Sequence, residues 1–310
     1  ALSTEDANDG NVAVGYKCLE DLNAGTTGDN VAVGYVAGPN LTTGVKNTLV
    51  GSNAGDALTD ADNNTAMGKN ALGADTLGSL STAVGYQALL SQNFTTATNS
   101  YNAAFGVSAG ASVTTGTKNT FLGAEAGNSI QNGSENIMIG FNVDASAVGS
   151  FHQFVMGSGI TGGEDNQFIF GKASNTVANE FDTDNAWTRS SDVRKKKNIE
   201  NATLGLDFIN DLRTVTFEWK PNNEFPKDFV EYGEENHMTT GVTMHGMVAQ
   251  EVKAALDKAG VNTFGGWKED KDGSQRISQE MFVYPLIKAI QELTALNTAL
   301  TARIKTLEDA

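Results

Sequence analysis

Cysteine occurs once in these 310 residues, at Cys18, and proline only four times. A single cysteine excludes an intrachain disulfide, so stability must come from packing or association, and a free thiol suits assembly in a reducing cytoplasm. Scarce proline beside 34 glycines argues for an ordered, β-rich or repetitive chain rather than a disordered one. Positive charge is nearly missing from the first 190 residues, which hold six Lys/Arg against eighteen Asp/Glu, a net of −12. Nucleic acid and anionic membrane both bind through Lys/Arg, so neither is expected as a partner. No run of about 18 apolar residues occurs, so no membrane insertion is expected. Ala1 opens no signal-peptide pattern and reads as a processed or truncated end.

Repetition fills the space those absences leave. The phrase Asn11-Val-Ala-Val-Gly15 returns at Asn30–Gly34, Asn47–Gly51, Asn64–Gly68, Ser81–Gly85, Asn102–Gly106, Asn119–Gly123 and Asn136–Gly140. Looser copies end at Gly157 and Gly171. Six of the nine glycine-to-glycine steps are 17 residues; the first is 19, Gly85 to Gly106 is 21, and the last is 14. Such a period predicts stacked units, each a short strand, a glycine corner and a small-residue stretch. One unit buries too little to stand alone, so neighbours must stack. With four or five apolar residues per unit the core would be thin, and three chains sharing one core would thicken it.

The repeat resembles the head repeats of trimeric autotransporter adhesins, and more closely those of tailed-phage tail fibres. The resemblance implies a trimeric β-roll or β-helix-like region over 1–171. Its surface would be a plain rod or would bind a host glycan or receptor through its longer inserts, Tyr16–Asp29 and Tyr86–Tyr101. His152, Tyr16, Tyr35 and Tyr86 could stack on sugars, although tyrosine in a β-repeat more often packs. The acidic pairs Asp60/Asp62 and Glu164/Asp165 lack Ca²⁺-loop spacing, so neither metal nor cofactor is expected. Residues 172–190 read as a linker.

The chain then changes character at Ser191-Asp-Val-Arg-Lys-Lys-Lys-Asn-Ile199. Alone, Arg-Lys-Lys-Lys would be a solvated basic run. With the preceding Ser-Asp it resembles the opening Ser-Asp-x-Arg-x-Lys-x-x-Ile of the intramolecular chaperone auto-processing domains at the C-termini of phage tail spikes, endosialidases and neck appendages. Leu206–Lys220, Gly246-Met-Val-Ala-Gln-Glu-Val252 and Tyr284–Leu293 continue the likeness in order. The resemblance implies an α+β chaperone domain over 191–282 that trimerises the chain, helps its β-structure fold and then cuts itself off. By the same carry-over the scissile bond is Ser190–Ser191, Ser191 is the nucleophile and Lys196 completes a Ser-Lys dyad.

A serine hydroxyl needs a base to take its proton, and a lysine serves when neutral. Arg194, Lys195 and Lys197 crowd positive charge around the Lys196 amine, which favours that form. Asp192 opposes this in sign, so its expected role is to fix the turn or accept from a backbone amide. His245 is a candidate helper in proton transfer or the oxyanion contact, or else a satisfied interior histidine; Gln250 and Glu251 are weaker candidates. Attack within one chain, attack between chains and an N-to-O acyl shift all give the same products.

The last segment, 283–310, carries heptads with a at Val283, Ile290, Asn297 and Ile304, and d at Leu286, Leu293, Leu300 and Leu307. That spacing predicts a long coiled-coil helix, with Asn297 setting register. Ile at a with Leu at d favours two strands; the family resemblance calls for three. A homotrimeric virion tail-fibre segment with a single-turnover self-cleaving serine peptidase is the leading reading. A polysaccharide-binding or -degrading tail spike and a bacterial trimeric adhesin head are the alternatives. The first lacks a recurring carboxylate pair, and the second would need a membrane anchor.

Overall fold

A computed structural model describes residues 10–25, 27–173, 175–182 and 191–309. The chain forms two compact units, residues 1–195 and 196–310.

In the first unit the recurring phrase becomes one strand per coil. These are β1 (Val12–Val14), β2 (Val31–Val33), β3 (Thr48–Val50), β4 (Thr65–Met67), β6 (Thr82–Val84), β8 (Ala103–Phe105), β9 (Thr120–Leu122), β10 (Ile137–Phe141), β11 (Phe154–Ser158) and β12 (Gln167–Lys172). They stack in parallel and in register, each phrase position lying over its counterpart, in a solenoid of about nine turns. The 21-residue step adds a side pair, β5 (Gly78–Ser79) with β7 (Thr98–Asn99). The run ends where β13 (Asn175–Glu180) pairs antiparallel with β12.

The phrase glycines are fixed by close stacking. Gly106 has φ +143°, and a Cβ there would lie 2.4 Å from the Gly123 carbonyl oxygen of the next coil. From Asn30 to Asn136 the asparagine that opens a phrase is buried and bridges coils. Asn47 accepts the Asn64 N–H at 2.9 Å through Oδ1 and donates Nδ2 to the Ala61 carbonyl at 2.7 Å. This satisfies backbone groups that a core this narrow could not leave unpaired. Where Ser81 interrupts the ladder, Gln92 fills in, donating Nε2 to Asp75 and to Ser81 Oγ and accepting from Asn102. Asp75 is fully buried, and its carboxylate also accepts the Gly78 and Phe94 backbone N–H groups.

A core shared among three chains, offered above as one way to thicken it, is not needed to fill the interior. Each chain fills its own interior with small and large side chains in complementary columns. Leu49, Phe121, Met138 and Val155 at the strand centres are fully buried, as are Leu19, Leu72 and Leu89 on the facing turns. The strand residues on either side of each centre are half-buried or exposed.

The second unit holds α1 (Leu206–Asp211), β14 (Val215–Phe217), β15 (Met244–Gly246), α2 (Ala249–Lys258), β16 (Trp267–Glu269), β17 (Gln275–Ile277) and α3 (Val283–Glu308). β14 pairs antiparallel with β15, and β16 with β17. Its core is small: Leu204, Phe208, Val252, Ala255, Leu256 and Phe282. The Phe208 and Phe282 rings stack at 6.4 Å, with Phe264 edge-on to Phe282 at 5.3 Å. A 3₁₀ turn over Gln279–Phe282 leads into α3. Glu292 on α3 accepts the Leu206 N–H at 2.8 Å, which ties the first half of α3 to the start of α1. That contact also holds the Glu292 carboxyl below the usual carboxylate range. Only Pro285 and Ala289 of α3 are buried, and every residue from Leu293 to Asp309 is exposed. The far half of α3 therefore does not pack on its own domain.

Candidate functional site

Asp192 organises the segment that the sequence marks as the junction. Its Oδ1 accepts the Arg194 backbone N–H at 2.8 Å, and Oδ2 accepts Arg194 Nη2 at 2.6 Å. Arg194 Nε also donates to Oδ1 at 3.0 Å. A short polar side chain that caps its own downstream backbone starts a turn, and here a 3₁₀ turn follows over Val193–Lys195. The Arg194 side chain, and then its backbone N–H, hold the Asp192 carboxyl down at about 2. The carboxylate that opposes a neutral lysine in sign is thus engaged by a guanidinium one turn away.

Ser191 lies two residues before this turn and Lys196 directly follows it; both are exposed. They fall in different compact units, which divide after Lys195. Ser190, the other half of the expected scissile bond, lies outside the described residues.

The remaining candidates lie in the second unit, His245 on β15 and Gln250 and Glu251 side by side on α2. His245 sits on β15 opposite Thr216 of β14 and is exposed, which replaces the interior-histidine alternative. It lines an apolar groove of about 790 Å³ with Ile209, Leu212, Val215, Phe282 and Leu286. Gln250, in the first turn of α2, lines a different groove of about 470 Å³ with Trp219, Phe225 and Phe229. Glu251 is held by Arg213, whose Nε donates at 3.0 Å and Nη2 at 2.5 Å, and this pairing lowers its carboxyl below the ordinary value. A carboxylate forked onto a guanidinium is a fastening between α2 and the segment after α1.

On the solenoid, Tyr86 is exposed, and the other three sugar-stacking candidates have contacts of their own. The Tyr16 and Tyr35 rings stack on one another at 5.4 Å and 15°, and Lys17 lies over the Tyr16 ring. His152 Nε2 meets Glu135 at 2.5 Å, and its Nδ1 meets Asn166 at 2.9 Å. Asp60 accepts the Thr43 hydroxyl and Asp62 the Val45 N–H of the preceding coil. Among the described residues no group of three or more His, Cys, Asp or Glu is placed to hold a metal ion. Among them, too, no helix is long and apolar enough to cross a membrane.

Residues 191–261 match the model of a family described as chaperone of endosialidase. The match opens on Ser191, the first residue of the Ser-Asp-x-Arg-x-Lys phrase. This part of the chain is similar to a self-cleaving chaperone domain, and its place after a β-solenoid fits a C-terminal intramolecular chaperone for fibre or spike folding. No curated protein and no solved structure matches the chain. Sequence reasoning missed the Asp192–Arg194 fork and the Arg213–Glu251 pair; the i to i+2 spacing of the first was the available signal.

Proposed function

We propose that this chain is a segment of a homotrimeric phage tail fibre whose C-terminal unit brings three copies together, aids folding of the solenoid and then releases itself. The observation that carries the reading is the match to a chaperone of endosialidase beginning at Ser191, directly after a β-solenoid. The exposed far half of α3 supports association. Leu293, Leu296, Leu300, Ile304 and Leu307 are all 46–68 % exposed. With Leu296 beside the a and d positions the apolar stripe is wider than a two-stranded seam needs, which favours three helices over two.

Release would occur at the Ser190–Ser191 bond. The Ser191 hydroxyl attacks the Ser190 carbonyl carbon while the Lys196 amine takes its proton. The amide nitrogen departs as the Ser191 amine, receiving that proton from the Lys196 ammonium. Water then hydrolyses the Ser190 ester, leaving a carboxylate on the fibre and a free Ser191 on the chaperone. Each chain turns over once, with no outside substrate. Cleavage after assembly removes the folding aid and leaves the shaft held by its unfolding barrier. The assembled fibre would sit in the virion, and its shaft would meet a host-surface glycan or receptor.

On denaturing gels the expressed chain is expected as two fragments, 1–190 and 191–310. Ser191→Ala should leave one full-length band, and Lys196→Ala should slow the cut at least a hundredfold. Mass spectrometry locating the new amino terminus anywhere but Ser191, or both variants cutting at the wild-type rate, would overturn the assignment.

A further inference from the structure

The two outward positions of the ten stacked strands hold no charge at all. They are Val12/Val14, Val31/Val33, Thr48/Val50, Thr65/Met67, Thr82/Val84, Ala103/Phe105, Thr120/Leu122, Ile137/Ile139, Phe154/Met156 and Phe168/Phe170. Parallel, in-register pairing puts these into two continuous columns, and none of the twenty is buried. Sixteen are hydrophobic and the other four are threonine. Phe105, Leu122, Met156 and Phe170 are each 37–49 % exposed. Soluble monomers seldom show an apolar patch this extended unless something covers it.

We infer that this strand face is the surface on which copies of the solenoid meet one another. The inference rests on the proposed homotrimer and names the face it uses. Charge selects the occupant. The first 190 residues carry a net of −12, so two copies repel wherever acidic surface meets acidic surface. The strand face is the long strip on which that repulsion is absent. A copy of the same chain is therefore the partner it suits, and a basic partner would gain nothing there. At about 4.8 Å per strand the strip is about 45 Å long. With one strand's breadth it offers on the order of 500 Å² per copy, less than the roughly 800 Å² per partner of a standard interface, so it would align copies that the C-terminal unit also holds together.

The face also grades along its length. In β3, β4 and β6 it reads Thr-x-Val or Thr-x-Met, so sliding one copy by a coil changes few contacts. In β11 and β12 it reads Phe-x-Met and Phe-x-Phe, on strands of five and six residues. A one-coil slip there would leave aromatic rings unmatched. Register between copies is thus set at the end of the solenoid that precedes the chaperone.

Cysteine cross-linking of the full chain, in a Ser191→Ala background, tests both parts. Cys18 is fully buried and is expected to stay silent. Leu122→Cys treated with a short bismaleimide should give at least tenfold more interchain product than Thr115→Cys, an exposed turn position of the same coil. Equal or reversed yields in a preparation of trimer mass would overturn the face while leaving the trimer standing; a monomer mass would overturn both. Giving β12 the face of β3 through Phe168→Thr with Phe170→Val should lower the Leu122→Cys yield at least twofold by trapping slipped assemblies. An unchanged yield would overturn the register assignment.

Discussion

Phe121 and Leu300 show how differently the two units treat a large apolar side chain. Phe121 is fully buried, and its ring occupies the space that a Cβ at Gly110 or Gly127 would enter, at 2.7 and 2.0 Å. Leu300 is 57 % exposed on a helix half that touches none of its own domain. Contacts in the solenoid are local, one coil to the next, so the interior closes within a single chain. The far half of α3 offers an equally apolar surface with nothing of its own to cover it. The solenoid fills its own core, while the far half of α3 leaves its apolar stripe open, so the two units offer different surfaces to a second copy.

The largest expected effect breaks the self-contained side of that contrast. Between Gly38 and Gly55, Leu49 fills the core; one and two coils on, Leu72 and Leu89 fill it from the turns while the strand centres shrink to Ala66 and Ala83. Leu49→Ala should cost about 2–5 kcal/mol per chain by cavity formation. Adding Gly38→Leu and Gly55→Leu should recover at least half of the loss. Leu72 and Leu89 already adopt φ of +53° and +50° at the matching positions, against +55° and +58° at the two glycines. Thermal unfolding of the Ser191→Ala chain would measure both changes. A triple variant less stable than Leu49→Ala would show that the columns do not compensate.

This compensation marks the limit of what the sequence discloses. The Asn-x-x-x-Gly phrase foretold strands, stacking and tight glycine corners, because a period and a φ requirement are local properties. It did not foretell that one chain encloses its own core. Leucine on a turn faces alanine on a strand several residues away, and only coil geometry brings the two together. The buried Asp75–Gln92 network was equally hidden, since a carboxylate in a polar turn looks solvated until the 21-residue coil folds over it. In the junction, the family resemblance singled out Ser191 and Lys196, and the sequence offered Asp192 as a turn-former, the residue whose Oδ1 accepts the Arg194 N–H. The separation of His245 from Gln250 into different grooves was not legible, since both follow the same short phrase.

A middle-sized effect sharpens the other side. Leu300→Ala should weaken association by about 1–3 kcal/mol per chain, less than a filled-core truncation because part of the side chain stays wet. Its signature differs in kind: unfolding of an associated chain depends on concentration. Dilution should therefore lower the Tm of Leu300→Ala more steeply than that of Leu49→Ala, whose loss lies within one chain. Identical dilution slopes would mean that α3 is not where copies hold together.

The smallest effect belongs to an exposed column on the solenoid, where Lys118, Glu135, His152 and Asn166 line up coil by coil. Glu135 raises the pKa of His152, with Asn166 second, while Lys118 and then His152 lower that of Glu135. For the raised histidine, the stability contributed is full below its unfolded value of about 6.5 and is lost as pH rises through the folded value. For the depressed glutamate, it is present above an unfolded value of about 4.3 and is lost as pH falls through the folded one. The wild-type advantage over His152→Ala in the Ser191→Ala background should therefore be greatest near pH 5.5 and smaller at pH 8.5. Solvent screening keeps it within about 2 °C of Tm, and added salt should shrink it further. An advantage that grows between pH 5.5 and 8.5 would mean that the neutral imidazole, bonded to Asn166, makes the stabilising contact instead.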